Sequence, residues 1–479
     1  MPATPEVVVI GAGFGGLGVA LSLRRAGFDN FTVLERADDV GGVWRENTYP
    51  GAACDVPSSL YSYSFAPHLD RRRRYAAQPD VLAYLRRTAA PVRDRIRFGA
   101  KAVSASFDGG RWRVALAGGG VVEADVLVSA VGQLNRPATP ALPGVDRFHG
   151  PVFHSARWRH DVDLTGLRVA VVGTGASAVQ FVPRIRPLAS TLTVFQRSAP
   201  HVLPKPDAAT RAPAHLWTAR VARVGVWLAG EALTGLLNSG RFSRSLVAGL
   251  AAAHRHVRVR DPRLRALLRP REQAGCKRVL FSNDWYPALT SPNVDVVTAP
   301  ITEITGDGVR TRDGRVHPAD VLIWGTGFEV ADFRLPVEVT GAHGRELADV
   351  WAGRPRAHLG MTVPGFPNFF LVYGPNTNLG GNSVITMIEA QCRYVVAAVR
   401  HLARSGGGGL EVRPEVAAAF DAEMRARLAH GVWSGCGSWY RAGDGSVTTN
   451  WPGGTGEYLR RTARLRPGDH VLVQAAERG

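Results

Sequence analysis

Twice in this chain a short β-branched run breaks into a glycine-rich turn and then an apolar helix, and no other feature limits its fold as strongly. Val7-Val8-Val9-Ile10 leads into Gly11-Ala12-Gly13-Phe14-Gly15-Gly16, and a helix follows to Arg24-Arg25, with Gly27 as its stop. Arg168-Val169-Ala170-Val171-Val172 leads into Gly173-Thr174-Gly175-Ala176-Ser177-Ala178, with Ala178 in the third small position. Alone such a triplet is a weak signal. Between a strand and a helix it has a mechanism: the first glycine turns the chain, the second lets backbone approach a pyrophosphate, and the third lets the helix pack closely.

The two turns differ in the charge that follows them. In the first unit the strand Phe31-Thr32-Val33-Leu34 ends at Glu35, nineteen residues after Gly16. A carboxylate there accepts hydrogen bonds from ribose hydroxyls and repels a 2′-phosphate, which suits FAD or NAD. In the second unit Leu192-Thr193-Val194-Phe195 ends at Gln196-Arg197-Ser198, with no acid. Arg197 favours a 2′-phosphate, and hence NADPH. The expectation is an α/β chain with two Rossmann-like dinucleotide-binding domains, one for FAD and one for NADPH, and 479 residues give room for both.

Two further strand-plus-glycine units, at 126–132 and 321–328, mark the ends of these folds, and the stretch from Pro140 to Gly144 reads as a linker. We expect residues 1–145 to form the first part of the FAD-binding domain and 146–330 the NADPH-binding domain. A helical insertion at about 208–271 interrupts the latter, and 331–479 complete the FAD-binding domain.

Lys+Arg 58 against Asp+Glu 40 gives a net charge of +18. The arginines are spread along the chain, the densest run (Arg71 to Arg74) is short, and no nucleic-acid module surrounds it, so no nucleic-acid partner is expected. A basic surface also attracts the polyphosphate of NADPH. Cys54, Cys276, Cys392 and Cys436 lie far apart and form no C-x-x-C pair, so neither a metal site nor a dithiol centre is expected, and reduced thiols are. The stretch 224–230 is broken by Glu231 and flanked by Arg220 and Arg223, which suits a core or interfacial helix and no integral membrane segment. The start of the sequence lacks the basic and apolar regions of a leader, and the expected location is cytoplasmic. Oligomeric state stays open.

More specific signals follow. The run Gly41-Gly42-Val43-Trp44, continuing through Tyr49-Pro50-Gly51 to Cys54-Asp55, resembles the type I Baeyer-Villiger monooxygenases and the wider class B flavin monooxygenases. Phe148-x-Gly150-x-x-x-His154-x-x-x-Trp158 matches that family's fingerprint, with Arg159 standing where Pro or Asp is expected. Gly275-Cys276-Lys277-Arg278, leading into Asp284-Trp285-Tyr286-Pro287, looks like its active-site loop. Gly374-Pro375-Asn376-Thr377, Asn382-Ser383 and the helix with Glu389 and Gln391 look like its carboxy-terminal flavin-contacting segment.

The resemblance implies an NADPH-consuming enzyme that inserts one oxygen atom of O2 next to a ketone carbonyl, through a C4a-peroxyflavin, to give an ester or lactone. Arg278 is the implied catalytic cation, with Asp55 holding it and letting it swing. A guanidinium cannot lose its proton, so it favours an anionic adduct. Gly11, Gly13, Gly16, Glu35, Trp44, Asp55 and Asn382 are then the flavin-binding candidates, Trp44 either near the ring or in the core. Gly173, Gly175, Ser177, Ala178, Arg197 and Lys277 are the NADPH-binding ones. His154 suits a structural or hinge role, and Trp433, Trp439, Tyr440 and Trp451 are expected to line or support a cavity. The nearest alternative is a flavin monooxygenase oxidising sulfur or nitrogen. A disulfide reductase needs a reactive cysteine pair, which lone Cys54 does not supply.

Overall fold

The structure, a computed structural model, describes residues 4–68, 73–207, 216–238, 240–330, 333, 335–435 and 440–473. Arg71, Arg72, Cys436 and Trp439 lie outside the described residues.

The first sheet is built on β1 (Val7–Ile10), β2 (Phe31–Leu34), β3 (Ile96–Arg97) and β4 (Val126–Ser129), all parallel, with β1 between β2 and β4. Every residue of β1 and β4 is buried, which is why both read as unbroken apolar runs and not as alternating ones. Helix α1 (Phe14–Arg25) follows β1 and buries Leu17, Val19, Ala20 and Leu23. Between β3 and β4 the chain makes an antiparallel meander over 102–124.

The second sheet repeats this plan. Its strands β5 (Val152–His154), β6 (Arg168–Val172), β7 (Thr191–Phe195), β8 (Val294–Val297) and β9 (Val321–Trp324) are parallel, in the order β8-β7-β6-β9-β5. Helix α2 (Ala176–Ile185) follows β6, and a second antiparallel meander over 301–318 precedes β9. Helices α3 (Leu216–Asn238) and α4 (Arg241–Arg258) fall between β7 and β8. The chain then returns. Strand β10 (Phe369–Leu371) pairs with β4 to complete the order β10-β4-β1-β2-β3, and α5 (Val384–Arg404) packs on α1. In each sheet the strand that carries the glycine turn has its two neighbours reached by connections running opposite ways. That is the switch point where such sheets bind ligands.

The two strand-end segments also meet. Ala138 N–H donates to the Gly327 carbonyl at 2.9 Å, Glu329 N–H to the Arg136 carbonyl at 2.9 Å, and the Thr326 hydroxyl to the Ala138 carbonyl at 2.5 Å. The passage between the halves is thus a short hydrogen-bonded strap. His154, at the end of β5, is buried against Phe328 of this strap, and burial lowers its pKa, keeping the ring neutral.

Cys54 and Cys392 are free, buried thiols. Cys276 is disulfide-bonded, which corrects the expectation of reduced thiols. Spacing along the chain does not say which cysteines a fold brings together. Among the described residues no helix is long and apolar enough to cross a membrane, and no group of His, Cys, Asp or Glu is arranged to hold a metal ion.

Candidate active site

A cleft opens at the first switch point, lined by Gly11, Gly13, Glu35, Trp44, Tyr61 and Tyr373 among others. Gly11 has a φ of +103°, and a Cβ on it would stand 2.8 Å from the Ala130 carbonyl oxygen. On Gly16 a Cβ would come within 1.8 Å of the Gly11 oxygen, so only a bare backbone fits. Helix α1 starts at Gly13 with no side-chain cap and no acid in its first turn, which leaves its N–H groups for an anion. Glu35 is buried and accepts from the N–H groups of Ala12 (2.7 Å) and Ala37 (3.0 Å). Both bonds orient its carboxylate and leave each oxygen further lone pairs for a ribose. Trp44 lines the cleft, packs against the core behind it and donates from its indole to the Tyr61 hydroxyl at 3.0 Å.

The second turn is built the same way. Gly173 has a φ of +110°, and its Cβ would lie 2.3 Å from the Gly325 carbonyl oxygen. Helix α2 starts at Gly175, again uncapped by a side chain and free of acids in its first turn, where Ser177 and buried Ala178 lie. Arg197 is exposed just past β7. Lys277 arrives from far along the chain to the same place, donating to the Ser198 hydroxyl at 2.6 Å and pairing with Glu272 at 2.8 Å. Two cations therefore border the end of β7, where the first fold has a carboxylate. This donor set fits a phosphorylated ribose.

An ion pair at the site joins the two folds. Arg278 grips Asp55 through Nε at 2.7 Å and Nη2 at 2.8 Å. Asp55 raises the already high pKa of the guanidinium, so it stays charged. No hydrogen bond from Nη1 is found among the described residues. The segment that leads to Asp55 is held from the second fold: Gln180 of α2 accepts from the Tyr49 hydroxyl (2.9 Å) and donates to the Ala53 carbonyl (2.9 Å). Arg278 also borders a small, narrow cavity, with Thr234 and Leu237 of α3, Gly380, Trp433, Tyr440 and Trp451 around it. Burial pushes the Tyr440 phenol up to about 12 while Arg278 pulls it the other way, so it is a neutral wall.

Asn382 is not brought to the first cleft. Its amide donates to Glu231 at 2.8 Å and to the Trp227 carbonyl at 3.3 Å, both on α3, while Val384, Ile385 and Ile388 of the same segment line the cleft. The side chain adds one more donor to a half-buried carboxylate that also accepts from Thr455 and Gly456. Arg159 is solvent-exposed and pairs with Asp161, away from the site, whereas Trp158 packs on Phe153 and Phe181. Gln391 accepts from the Tyr373 N–H at 2.9 Å and so braces the cleft wall. Sequence reasoning missed Gln180, and it named Glu231, Arg223 and Glu389 without their partners, so the pair of Arg223 (α3) and Glu389 (α5) at 3.1 Å went unseen. None of them has a local signal, since each partner lies more than a hundred residues away.

Known proteins share this arrangement. The family model described as pyridine nucleotide-disulphide oxidoreductase matches residues 5–228. The chain is 42% identical to a Baeyer-Villiger monooxygenase of Streptomyces coelicolor, over 98% of this chain and 93% of that protein. An oxidized steroid monooxygenase bound to NADP superposes with a TM-score of 0.88 at 32% identity, covering 98% of this chain and 100% of that one. OTEMO in complex with FAD and NADP gives a TM-score of 0.89 at 26% identity, covering 99% and 100%. Disulfide chemistry through Cys54 is disfavoured, because burial pushes its thiol up, away from the thiolate.

Proposed function

The chain belongs to the Baeyer-Villiger monooxygenase family, and we propose that within it Arg278, held by Asp55, is the cation that governs oxygen insertion. The enzyme is an FAD- and NADPH-dependent monooxygenase: ketone, O2, NADPH and a proton give an ester or lactone, NADP+ and water. Bound in the first cleft, a flavin would supply hydride acceptance from NADPH and the activation of O2.

The residues of this chain do the rest. Gly11, Gly13 and the free N–H groups of α1 receive the flavin pyrophosphate, Gly16 lets α1 close on the turn, and Glu35 takes the ribose hydroxyls, with Trp44 on the cleft wall. Gly173, Gly175, Ser177 and α2, with Ala178 packed beneath, receive that of NADPH, and Arg197 and Lys277 its 2′-phosphate. Residues 1–145 and 331–479 are assigned to the flavin domain and 146–330 to the NADPH domain, in keeping with the two sheets. Asp55 fixes Nε and Nη2 of Arg278 and leaves Nη1 to donate to an oxyanion grown on the substrate carbonyl. In a small, water-poor cavity such a fixed donor stabilises developing charge strongly. Asn382 acts at one remove, by clasping α3 over the cavity.

The observation that carries this reading is the two-point Asp55–Arg278 pair at the meeting of two dinucleotide folds. Its test is product analysis with purified enzyme, NADPH and labelled O2 on aryl, cyclic and linear ketones beside a thioether. Esters or lactones carrying one labelled oxygen are expected; sulfoxide alone would favour the heteroatom-oxidising alternative.

A further inference from the structure

The outward faces of the two inserted helices are apolar where water-facing helices are polar. On α3, Trp217 (71% exposed), Val221, Val224 and Leu228 project to solvent, and Arg220 is the one charged residue among its exposed described positions. On α4, Phe242 (88% exposed), Leu246, Leu250 and Val257 do the same. These are not core faces turned the wrong way. The opposite side of α3 is anchored inward by Arg223 on Glu389 and by Glu231, which accepts from the N–H groups of Thr455 (2.9 Å) and Gly456 (3.2 Å).

Charge completes the pattern. Residues 216–260 contain seven arginines and a single acid, the inward Glu231. Arg258, Arg260 and Arg263 are exposed where α4 ends. An apolar helix face carrying Trp, Phe and Leu with a basic border is what lies in a lipid headgroup layer. We propose that α3 and α4 dock the enzyme onto an anionic bilayer surface, lying in it and not crossing it. A second copy of the chain is a poorer occupant, because a two-fold contact sets the same surface on itself and this one would face arginine with arginine. The overall charge of +18 adds long-range attraction to anionic lipid. Since the inner face of α3 walls the cavity beside Arg278, docking sets that wall toward a phase in which apolar ketones concentrate. This last consequence rests on the functional reading above; the docking itself does not.

The test is sedimentation of the holoenzyme with phosphatidylcholine vesicles, with and without phosphatidylglycerol. Binding is expected only to the anionic vesicles and should fall as salt is added. The double variant Leu228→Glu/Phe242→Glu should bind roughly tenfold less or weaker still, and Arg258→Glu/Arg260→Glu should lose about as much. Both should keep their flavin and their rate of NADPH oxidation in solution. Equal sedimentation with and without anionic lipid overturns the proposal, as does vesicle binding that the first variant leaves unchanged. So does a concentration-dependent dimer, seen by sedimentation velocity, that this variant dissolves without any lipid binding.

Discussion

The two glycine turns share a backbone and differ in what borders it. In both, the first glycine sits at a φ beyond +100° and presses on a carbonyl at the end of the neighbouring strand, Ala130 in one case and Gly325 in the other. In both, the helix that follows offers uncapped N–H groups. Past the second strand they part. The first fold buries Glu35, fastened by two backbone N–H groups; the second exposes Arg197 and brings in Lys277. On the proposed reading, backbone geometry provides for a dinucleotide, and one or two charges select which.

The comparison can be broken most severely at the third small position. Gly16→Ala places a Cβ against rigid backbone at 1.8 Å, so the variant should purify without flavin, as the ratio of flavin to protein absorbance will show. A normally yellow variant would mean that the turn relaxes. Charge comes next. Arg197→Glu is expected to raise KM for NADPH roughly tenfold or more while leaving KM for NADH little changed, since charge-assisted bonds to phosphate contribute about 1.5–3 kcal/mol. Steady-state kinetics with both nucleotides measure it, and equal losses would remove Arg197 from phosphate recognition. The smallest effect belongs to Ala178→Gly. The second turn already accepts a Cβ there, so only helix propensity is lost, about 1 kcal/mol in a denaturant melt, with KM for NADPH unchanged.

What the chain displayed locally was readable. Strand, turn and helix around Gly11 and Gly173, the acid at 35 and the arginine at 197 lie within short windows, where periodicity and turn chemistry apply. The pairing of Asp55 with Arg278 spans 223 residues and was reached only through resemblance to a known family. Asn382 shows the limit of that route. Its motif suggested a flavin contact, but the fold places Glu231 within reach, and that carboxylate took the amide alongside donors from Thr455 and Gly456. The helices at 216–258 were legible as helices. Which of their faces would be anchored depended on Arg223 meeting Glu389, and no window of sequence contains both.

Everything at the site converges on Arg278, and its removal is the most direct measurement. In Arg278→Ala, supplied with NADPH, air and a ketone accepted by the unaltered enzyme, flavin reduction should persist and O2 should be consumed to hydrogen peroxide. Ester formation should fall about 10²–10³-fold, the loss typical of removing a fixed donor from an oxyanion. Ester produced at the unaltered rate, with each NADPH still coupled to one oxygen insertion, would contradict the account.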